Sequence, residues 1–424
     1  MAGTAGKLDQ LRSAALPALL MVSAVNLLNY FDRSIFNLLL EPIRKEFSLS
    51  NTELGLLAGA FALLFATMSL PLAWASDRLR RLTVLGISLA LWSVATAACG
   101  GARGFVQLFI ARIAVGVGEA GCLPAGTSLI ADHYPPRLRP TAIAVFQGAG
   151  LLGSMLGLMV IGVLADHLGW RLALICASLP GLLLVPLAFL LREPPRGRFD
   201  AQDVVREPWL KAVGDLLKSP VYLLLLAAIT FVSIGFTTIG TWGPTFFVRS
   251  YGLSLSSVGL LFGLSFGLAA AAGTFLGGWL TSRLMKKNRG WEFWMPATAY
   301  GLAVPLFVAA LAAPTATLAF ALVGVASFTA FLGYGPTMSL YHVVAPPEVR
   351  ATAVSGGAFF GGLIGSFVGP VLVGGLTDSL TPAFGVEALR IALGVCMLTF
   401  VAPAALYPAA ERLLRARRRE AAVT

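Results

Sequence analysis

Long apolar runs separated by short polar segments make up most of the chain. Twelve such runs, each bounded by charged residues, Pro or Gly, occur at 14–40, 53–75, 82–101, 104–131, 140–164, 170–191, 220–248, 255–281, 292–312, 315–342, 351–376 and 385–409. An α-helix rises about 1.5 Å per residue, so each run can cross a hydrocarbon core of about 30 Å. Because the backbone must hydrogen-bond to itself in lipid, the pattern predicts an all-α membrane protein with twelve transmembrane helices.

Composition supports solvation by lipid rather than by water. Hydrophobic residues make up 57% of the chain and charged residues 12%, whereas about a quarter of the residues in soluble domains are charged. The net charge of +11 comes from short basic bursts between the apolar runs, which is typical of loops at a membrane face. We therefore expect no nucleic-acid partner. The four cysteines lie inside apolar runs without metal-type spacing, and we expect no metal site and no cofactor.

The distribution of Lys and Arg predicts the orientation. With the N-terminus inside, 23 of them fall on the cytoplasmic side and six on the opposite side. This asymmetry places both termini in the cytoplasm and predicts a multi-pass protein of the bacterial inner membrane. A cleaved signal peptide after Ala24 is disfavoured because the apolar run continues to Leu40.

A polar linker at 192–219 predicts two halves of six helices each, at 1–191 and 220–424. Internal similarity supports this division. Residues 135–144 recur as residues 346–355 with five identities in ten, and residues 162–166 are echoed by residues 374–378. The offsets of 211 and 212 residues are half the chain, as expected for the parallel repeats of rocking transporters.

Four ionisable side chains fall well inside the predicted spans, where a charge costs about 2.5–3.5 kcal/mol. They are Asp32, Arg33, Arg112 and Glu119. By helix rise, Asp32 and Arg112 lie at the same depth, about 12 Å below one face, so they can meet if the first and fourth helices adjoin. Arg112 and Glu119 are seven residues apart and share a helix face.

Two interpretations of these charges remain open. Either Asp32 and Glu119 bind and release a proton as their pairing changes, or a permanent buried salt bridge fixes the helix packing. Arg112 is expected to act as the charge partner or as an anion clamp. Arg33 lies about 100° around the helix from Asp32 and is expected to face either a cavity or a helix interface.

The short loop after the second span predicts a gate. Asp77, Arg78 and Arg81 lie in or beside this loop, and Arg139 lies in the corresponding segment after the fourth span. A carboxylate there can approach a helix N-terminus while arginines reach carboxylates or lipid phosphates, which would hold one state of a carrier. Simple anchoring at the cytoplasmic face also accounts for the arginines.

Candidate substrate contacts are polar or aromatic residues beside the buried charges or near a proline break. They are Asn29, Tyr30, Phe31, Phe236, Thr237, Thr241, Trp242 and Tyr334. Hydroxyls beside aromatic rings suit an amphipathic ligand, and they suit ordinary helix packing equally well.

Two motifs of this sequence resemble signatures of a known protein family. The loop at 77–81 resembles the signature between helices 2 and 3 of the major facilitator superfamily, with a weaker copy at 277–283. Ala73 and Arg80 replace glycines of that signature, and Ser282 replaces the acid in the second copy.

Helices 1 and 4 extend the resemblance. Residues 112–118 look like the helix 4 motif of the same superfamily. Asn29-Tyr30-Phe31-Asp32-Arg33, together with residues 116–120, resembles the spinster-like branch.

The resemblance implies the fold of that superfamily and a proton-coupled carrier that works by alternating access. It implies that Asp32 and Glu119 bind the proton while Arg112 pairs with them, and that the cargo is an amphipathic lipid-like or small organic solute. An organic-anion/proton symporter and a drug/proton antiporter are the alternatives. We expect a monomer in contact with membrane lipids, and no enzyme, because no catalytic cluster is present.

Overall fold

The computed structural model describes residues 2–191, 193–196, 198–199, 214, 216–345, 353, 356–357 and 359–420. Within these ranges the chain is almost entirely helical and contains no β-strand. The α-helices are α1 (Ala2–Leu38), α2 (Leu40–Phe47), α3 (Asn51–Arg78), α4 (Arg81–Gly101), α5 (Phe105–Glu119), α6 (Cys122–His133), α7 (Arg139–Leu190), α8 (Pro220–Tyr251), α9 (Leu255–Phe262), α10 (Ala269–Met285), α11 (Trp291–Leu311), α12 (Ala316–Leu332), α13 (Tyr334–Val344), α14 (Ser366–Phe384), α15 (Ala388–Met397) and α16 (Val401–Glu420). Two π-helical turns, at Gly263–Leu268 and Gly361–Gly365, precede α10 and α14.

Ten helical stretches in the described ranges are long and apolar enough to cross a membrane. Two of them, Arg139–Leu190 and Gly361–Ala416, each contain two of the predicted spans, so the ten stretches accommodate all twelve. The first leaves helical geometry at Gly169, whose φ of 77° is readily adopted only by glycine. A 3₁₀ turn at Gly385–Glu387 divides the second.

Two predicted spans are broken where the apolar pattern showed no interruption. The span at 104–131 divides after Glu119, and the span at 315–342 divides after Leu332. The first span also ends at Leu38 rather than at 40, because the short helix α2 follows. Broken helices are tolerated at membrane depth where protein or a wet cavity covers the freed backbone groups, so the apolar composition can continue through the break.

Large apolar side chains cover much of the accessible surface. Phe275, Leu190 and Leu183 are 80%, 77% and 75% exposed, and many other Leu, Val and Ile side chains are exposed along the same helices. A water-soluble monomer rarely presents continuous apolar surface of this extent. The surface therefore fits a multi-pass membrane protein.

The chain groups into two compact units by internal contacts. Unit 1 consists of Met1–Leu49, Ala60–Val204 and Ser254–Leu260, and unit 2 consists of Ser50–Gly59, Val205–Leu253 and Leu261–Thr424. The beginning of α3 thus belongs to unit 2, and most of α9 belongs to unit 1. The greater part of the predicted linker 192–219 and of the repeat 346–355 lies outside the described residues.

Candidate functional site

One ion pair of unit 1 joins α1 to the end of α5. Arg33 Nε donates a hydrogen bond of 2.9 Å to Oε2 of Glu119. The Glu119 side chain is fully buried, whereas that of Arg33 is 26% exposed. Glu119 Oε1 is buried too, and it accepts no hydrogen bond from the described residues. One carboxylate oxygen is therefore paired with a partly accessible cation, and the other has no donor.

Asp32, the neighbour of Arg33, has a different partner. Its side chain is buried, and Oδ2 accepts a hydrogen bond of 3.1 Å from the Thr96 hydroxyl of α4. No Lys or Arg nitrogen of the described residues lies within 4.0 Å of its carboxylate. Within the described part of the chain, the hydrogen bond that orients Asp32 thus comes from a neutral group.

Arg112 does not form the expected ion pair with Asp32 or with Glu119. Its guanidinium carbon lies 4.0 Å from the ring centroid of Phe36 and 4.8 Å from that of Phe61. Its Nε is buried and has no hydrogen-bond acceptor among the described residues. Cation–π contacts of this kind compensate partly for desolvation of the cation. Arg112 lies among the predicted acids, but aromatic rings are its nearest partners.

Aromatic rings also surround Arg33. Its guanidinium carbon lies 4.0 Å from the ring centroid of Phe65, 5.0 Å from that of Tyr30 and 5.6 Å from that of Phe61. Phe61 therefore lies against both arginines. Planar guanidinium groups stack well on such rings while leaving their edge nitrogens free to bind an anion.

Two asparagines of α1 position this cluster. Asn26 donates to the carbonyl oxygen of Phe146 at 2.7 Å, and Asn29 donates to the carbonyl oxygen of Glu119 at 3.3 Å. Glu119 is the last residue of α5, where the helix breaks, so its carbonyl is not used by a continuing helix. Asn29 is thus a packing residue here, and Phe31 is buried as well. Tyr30 is partly exposed.

Unit 2 contributes an aromatic cluster around Phe236 of α8. The ring of Phe236 stacks on Phe331 with centroids 4.2 Å apart, and it meets Tyr300, Tyr334 and Phe400 edge-on. Phe236 and Phe331 are partly exposed and Tyr334 is 37% exposed. Tyr334 begins α13, directly after the break in the second interrupted span.

The other candidates on α8 are packed into unit 2. Thr241 and Trp242 are buried, and Trp242 Nε1 donates to the carbonyl oxygen of Pro370. Thr237 is partly exposed, and its hydroxyl donates to the carbonyl oxygens of Ser233 and Gly365. For these three residues the geometry favours the packing interpretation.

The predicted gating residues separate into two groups. Asp77 and Arg78 are exposed in the last turn of α3, and Arg78 lies over the ring of Trp74 at 4.2 Å. Arg81 is instead almost fully buried at the start of α4. It pairs with Asp132 of α6 and, at 2.7 Å, with Glu193.

Arg139 contacts the end of α6 as well. Its Nε donates to the carbonyl oxygens of Ala131 and Tyr134. Arg139 therefore bonds the terminal carbonyls of a helix, where cations are favourable. Among the described residues, no three His, Cys, Asp or Glu side chains come together in a metal-holding arrangement.

Sequence reasoning missed Thr96, Phe61 and Phe65, which contact Asp32 and the two arginines. None of them carries a charge, and aromatic residues and threonines are common in membrane helices. Only the partner helix that each faces distinguishes them, and a single sequence does not reveal that partner.

Comparison with known proteins places the chain among membrane transporters. A family model described as Major Facilitator Superfamily matches residues 22–370. An MFS-type efflux pump of Mycolicibacterium smegmatis is 32% identical over 376 residues, covering 88% of this chain and 87% of the pump. A probable L-galactonate transporter of Escherichia coli is 27% identical over 411 residues, covering 92% and 88%.

Solved structures show the same fold. The crystal structure of a bacterial homologue of the human lysosomal transporter Spinster, in an inward-facing and unoccupied conformation, has a TM-score of 0.87 and 26% identity. The similarity covers 94% of this chain and 97% of that one.

Proposed function

The chain belongs to the Major Facilitator Superfamily and is a secondary transporter, and on that premise we propose that it couples a proton to an amphipathic or small organic solute. The observation that carries the proposal is the buried Arg33–Glu119 pair beside the buried Asp32. Charges at this depth are costly to retain, and in transporters such acids commonly serve proton relays.

Proton binding at Glu119 would free Arg33. Oε1 of Glu119 has no donor, so a proton can bind there without breaking another hydrogen bond. Neutralising the carboxylate removes the charge that attracts the guanidinium 2.9 Å away. Arg33, already 26% exposed and held by aromatic rings, then becomes available to an anionic group of the cargo.

Asp32 is the second proton-binding group of the proposal. It is buried, and it accepts a hydrogen bond from the hydroxyl of Thr96. Arg112 provides a fixed positive charge nearby without neutralising either acid through direct contact. Because the two acids have separate partners, a proton that binds to one acid alters proton binding at the other through charge alone.

The cargo class follows from the chemistry around Arg33. Unit 1 offers its partly exposed guanidinium, which lies over the rings of Phe65, Tyr30 and Phe61. An anionic head and an apolar body match a cation flanked by aromatic rings, as in a lysophospholipid. The resemblance of residues 29–33 and 116–120 to the spinster-like branch supports this class.

Two relatives support the alternatives. The galactonate transporter of Escherichia coli makes a sugar-acid anion the second candidate, because the guanidinium alone would suit it. The efflux pump of Mycolicibacterium smegmatis makes an exporter the third candidate, of which a drug/proton antiporter is one form. We propose that the chain lies in the bacterial inner membrane with both termini in the cytoplasm, on the strength of the basic residue distribution, and that it acts as a monomer.

Reconstitution in liposomes with an imposed pH gradient tests the proposal. Driven flux of a fluorescent lysophospholipid, of radiolabelled galactonate and of ethidium is compared for wild type, Asp32→Asn and Glu119→Gln. We expect either substitution to abolish driven flux of the true cargo, while Glu53→Gln, at an exposed helix start, leaves it unchanged. If the driven flux of every transported probe persists at the wild-type rate in both variants, proton coupling through these acids is rejected.

A further inference from the structure

A cavity of about 420 Å³ lies at one end of unit 2, and none of the candidate residues considered above lines it. It is formed where the end of α10, the turn before α11, the end of α13 and the C-terminal part of α16 meet. Its volume falls in the range of cavities that bind small molecules. In the predicted topology this end of unit 2 lies at the face that carries the chain termini.

The two acids of the cavity are already bonded to the protein. Glu411 Oε1 accepts a hydrogen bond of 2.5 Å from Arg415, and its Oε2 accepts one of 2.9 Å from Trp294 Nε1. Glu292 lies in the first turn of α11, where the helix dipole favours an acid, and its Oε1 accepts from the Ser339 hydroxyl at 3.1 Å. Both acids are buried. Neither is therefore a free site for a cation.

The two arginines of the cavity, by contrast, keep hydrogen-bond donors free. Arg289 is exposed, and its side chain makes no hydrogen bond or ion pair within the part of the chain that the structure describes. The Arg415 side chain is 56% exposed, and it pairs with Glu411 through Nη2. A guanidinium carries several N–H donors in a planar fork, so one bond leaves the others available. The bonding capacity that remains in the cavity is thus cationic, and it suits an anion.

Gly290 lets the two arginines share one cavity. A Cβ atom on Gly290 would collide with Oε1 of Glu411 and with Nη2 of Arg415. The turn before α11 can therefore lie against the Glu411–Arg415 pair only because this residue has no side chain. Arg289 immediately precedes Gly290, so the close approach brings its backbone beside α16.

Apolar side chains form much of the remaining wall, including Met285, Phe293 and Leu414. Trp294, next to Phe293, keeps its ring exposed while its indole nitrogen donates to Glu411. A tryptophan with an exposed ring and a bonded N–H group is typical of the level of the lipid headgroups. The wall and this tryptophan together indicate a ligand that is partly apolar and comes from the membrane.

We propose that the cavity binds the headgroup of an anionic phospholipid from the leaflet at this face. Arg289 and Arg415 hold the phosphate through charge-assisted hydrogen bonds, and the apolar wall contacts the glycerol backbone and the beginning of the acyl chains. Basic pockets between transmembrane helices at the cytoplasmic side suit such headgroups. The bound lipid links the turn before α11 to α16, and this role is separate from the transport of cargo.

Calorimetric titration of the delipidated full chain in detergent tests the site. The probes are dioctanoyl phosphatidylglycerol, dioctanoyl phosphatidylcholine, glycerol phosphate and inorganic phosphate. Each probe is titrated into wild type, Arg289→Gln and Lys287→Gln. Lys287 is the matched control, because it is exposed in the same turn and does not line the cavity.

We expect dioctanoyl phosphatidylglycerol to bind wild type with a Kd about tenfold lower than that of the zwitterionic phosphatidylcholine, because the free groups of the cavity are cations. Arg289→Gln should raise the Kd for phosphatidylglycerol by about tenfold, since charge-assisted hydrogen bonds are lost, and Lys287→Gln should leave it within about twofold. Glycerol phosphate and inorganic phosphate should bind at least about tenfold more weakly than the lipid, because they lack the apolar part.

Arg415→Gln provides a second variant, with Arg412→Gln as its control. Arg412 is exposed on the same helix and does not line the cavity. We expect Arg415→Gln to weaken binding of phosphatidylglycerol as Arg289→Gln does, and Arg412→Gln to leave it unchanged. Size-exclusion chromatography checks that each variant is folded. Arg289→Gln keeps the test valid if Arg415→Gln misfolds, because Arg289 bonds to no other described side chain.

An unchanged Kd for phosphatidylglycerol in Arg289→Gln overturns the proposal. Equal weakening by Lys287→Gln overturns it as well, because it indicates attraction by surface charge alone. Inorganic phosphate that binds as tightly as the lipid makes the cavity a site for a soluble anion instead. Lipid binding that is lost in Arg33→Gln and kept in Arg289→Gln belongs to the charged cluster of unit 1, which also rejects this site. None of these results depends on driven flux, so they are independent of proton coupling.

Discussion

Arg33 Nε lies 2.9 Å from Oε2 of Glu119, and this contact ties the C-terminal part of α1 to the broken end of α5. The two residues are 86 positions apart. Asp32, one position before Arg33, bonds instead to Thr96 of α4. Asp32 and Arg33, which follow each other in α1, thus bond to two different helices. A change in the charge of Asp32 or Glu119 therefore alters a contact of α1.

Removal of the Thr96 hydroxyl should alter coupling without unfolding the protein. Thr96→Val keeps the side-chain shape and removes the hydroxyl that donates a hydrogen bond to Asp32. A hydrogen bond to a charged group contributes about 1.5–3 kcal/mol, so we expect the pH profile of driven flux to be displaced by about one pH unit or more. Flux against pH in liposomes measures this displacement.

Thr96→Ser is the matched control, because it restores a hydroxyl at the same position. A rescued pH profile in Thr96→Ser supports a positioning role for the hydroxyl. Identical profiles in wild type and Thr96→Val would remove Thr96 from that role.

Replacement of Arg81 should destabilise unit 1 strongly. Arg81→Gln removes the guanidinium that pairs with both Asp132 and Glu193, whose side chains are 6% and 12% exposed. Removal of one partner from a buried ion pair typically costs about 3–5 kcal/mol, and we expect a large fall in the apparent Tm in detergent. Differential scanning fluorimetry measures it.

Arg78→Gln provides the comparison for Arg81. Arg78 lies in the same basic segment but is exposed, and it contacts only the ring of Trp74 among the contacts described. We expect its apparent Tm to stay close to that of wild type. Equal effects of the two substitutions would show that burial of Arg81 does not govern stability.

Stability should depend on acid pH through Glu46, which lies in α2 outside the membrane-spanning stretches. Hydrogen bonding from Arg171, and then from Trp170, lowers the pKa of Glu46 below its ordinary value of 4.5. A lowered folded-state pKa stabilises the protein above pH 4.5 and loses this effect as pH falls through the folded-state value.

The apparent Tm of wild type should therefore exceed that of Glu46→Gln at pH 7, and the difference should disappear under acid. Because the Glu46 side chain is 43% exposed, the contribution is expected to be small, about 0–1 kcal/mol. Melting curves of both proteins from pH 7 downward measure it. A difference that grows as the pH falls contradicts the assignment.

The sequence predicted the membrane fold and the family because both depend on one-dimensional features. Twelve apolar runs, the basic residue asymmetry and the motifs at 77–81 and 112–118 need no knowledge of helix rotation. The half-chain echo at residues 162–166 and 374–378 was also visible, and each copy ends in an aspartate that accepts a hydrogen bond from a backbone N–H group, Asp166 from Ser256 and Asp378 from Thr52.

Pairing among the buried charges could not be predicted in the same way. Helix rise gave Asp32 and Arg112 equal depth, but the rotation of each helix decides which side chain meets which. Arg33, about 100° around α1, reaches Glu119, whereas Arg112 lies against Phe36 and Phe61. The helix breaks after Glu119 and Leu332 were not predicted for a related reason, because apolar residues continue through both breaks.

The π-helical turn at Gly263–Leu268 has a further effect on how this sequence is compared with others. Hydrogen bonds from residue i to i+5 accommodate an additional residue in the turn. Each residue of an α-helix advances about 100° around its axis, so α10 is rotated by about that angle relative to an uninterrupted continuation of α9. An alignment to a homologue without the turn needs a one-residue gap here, or each residue of α10 will be matched to a position about 100° away around the helix axis.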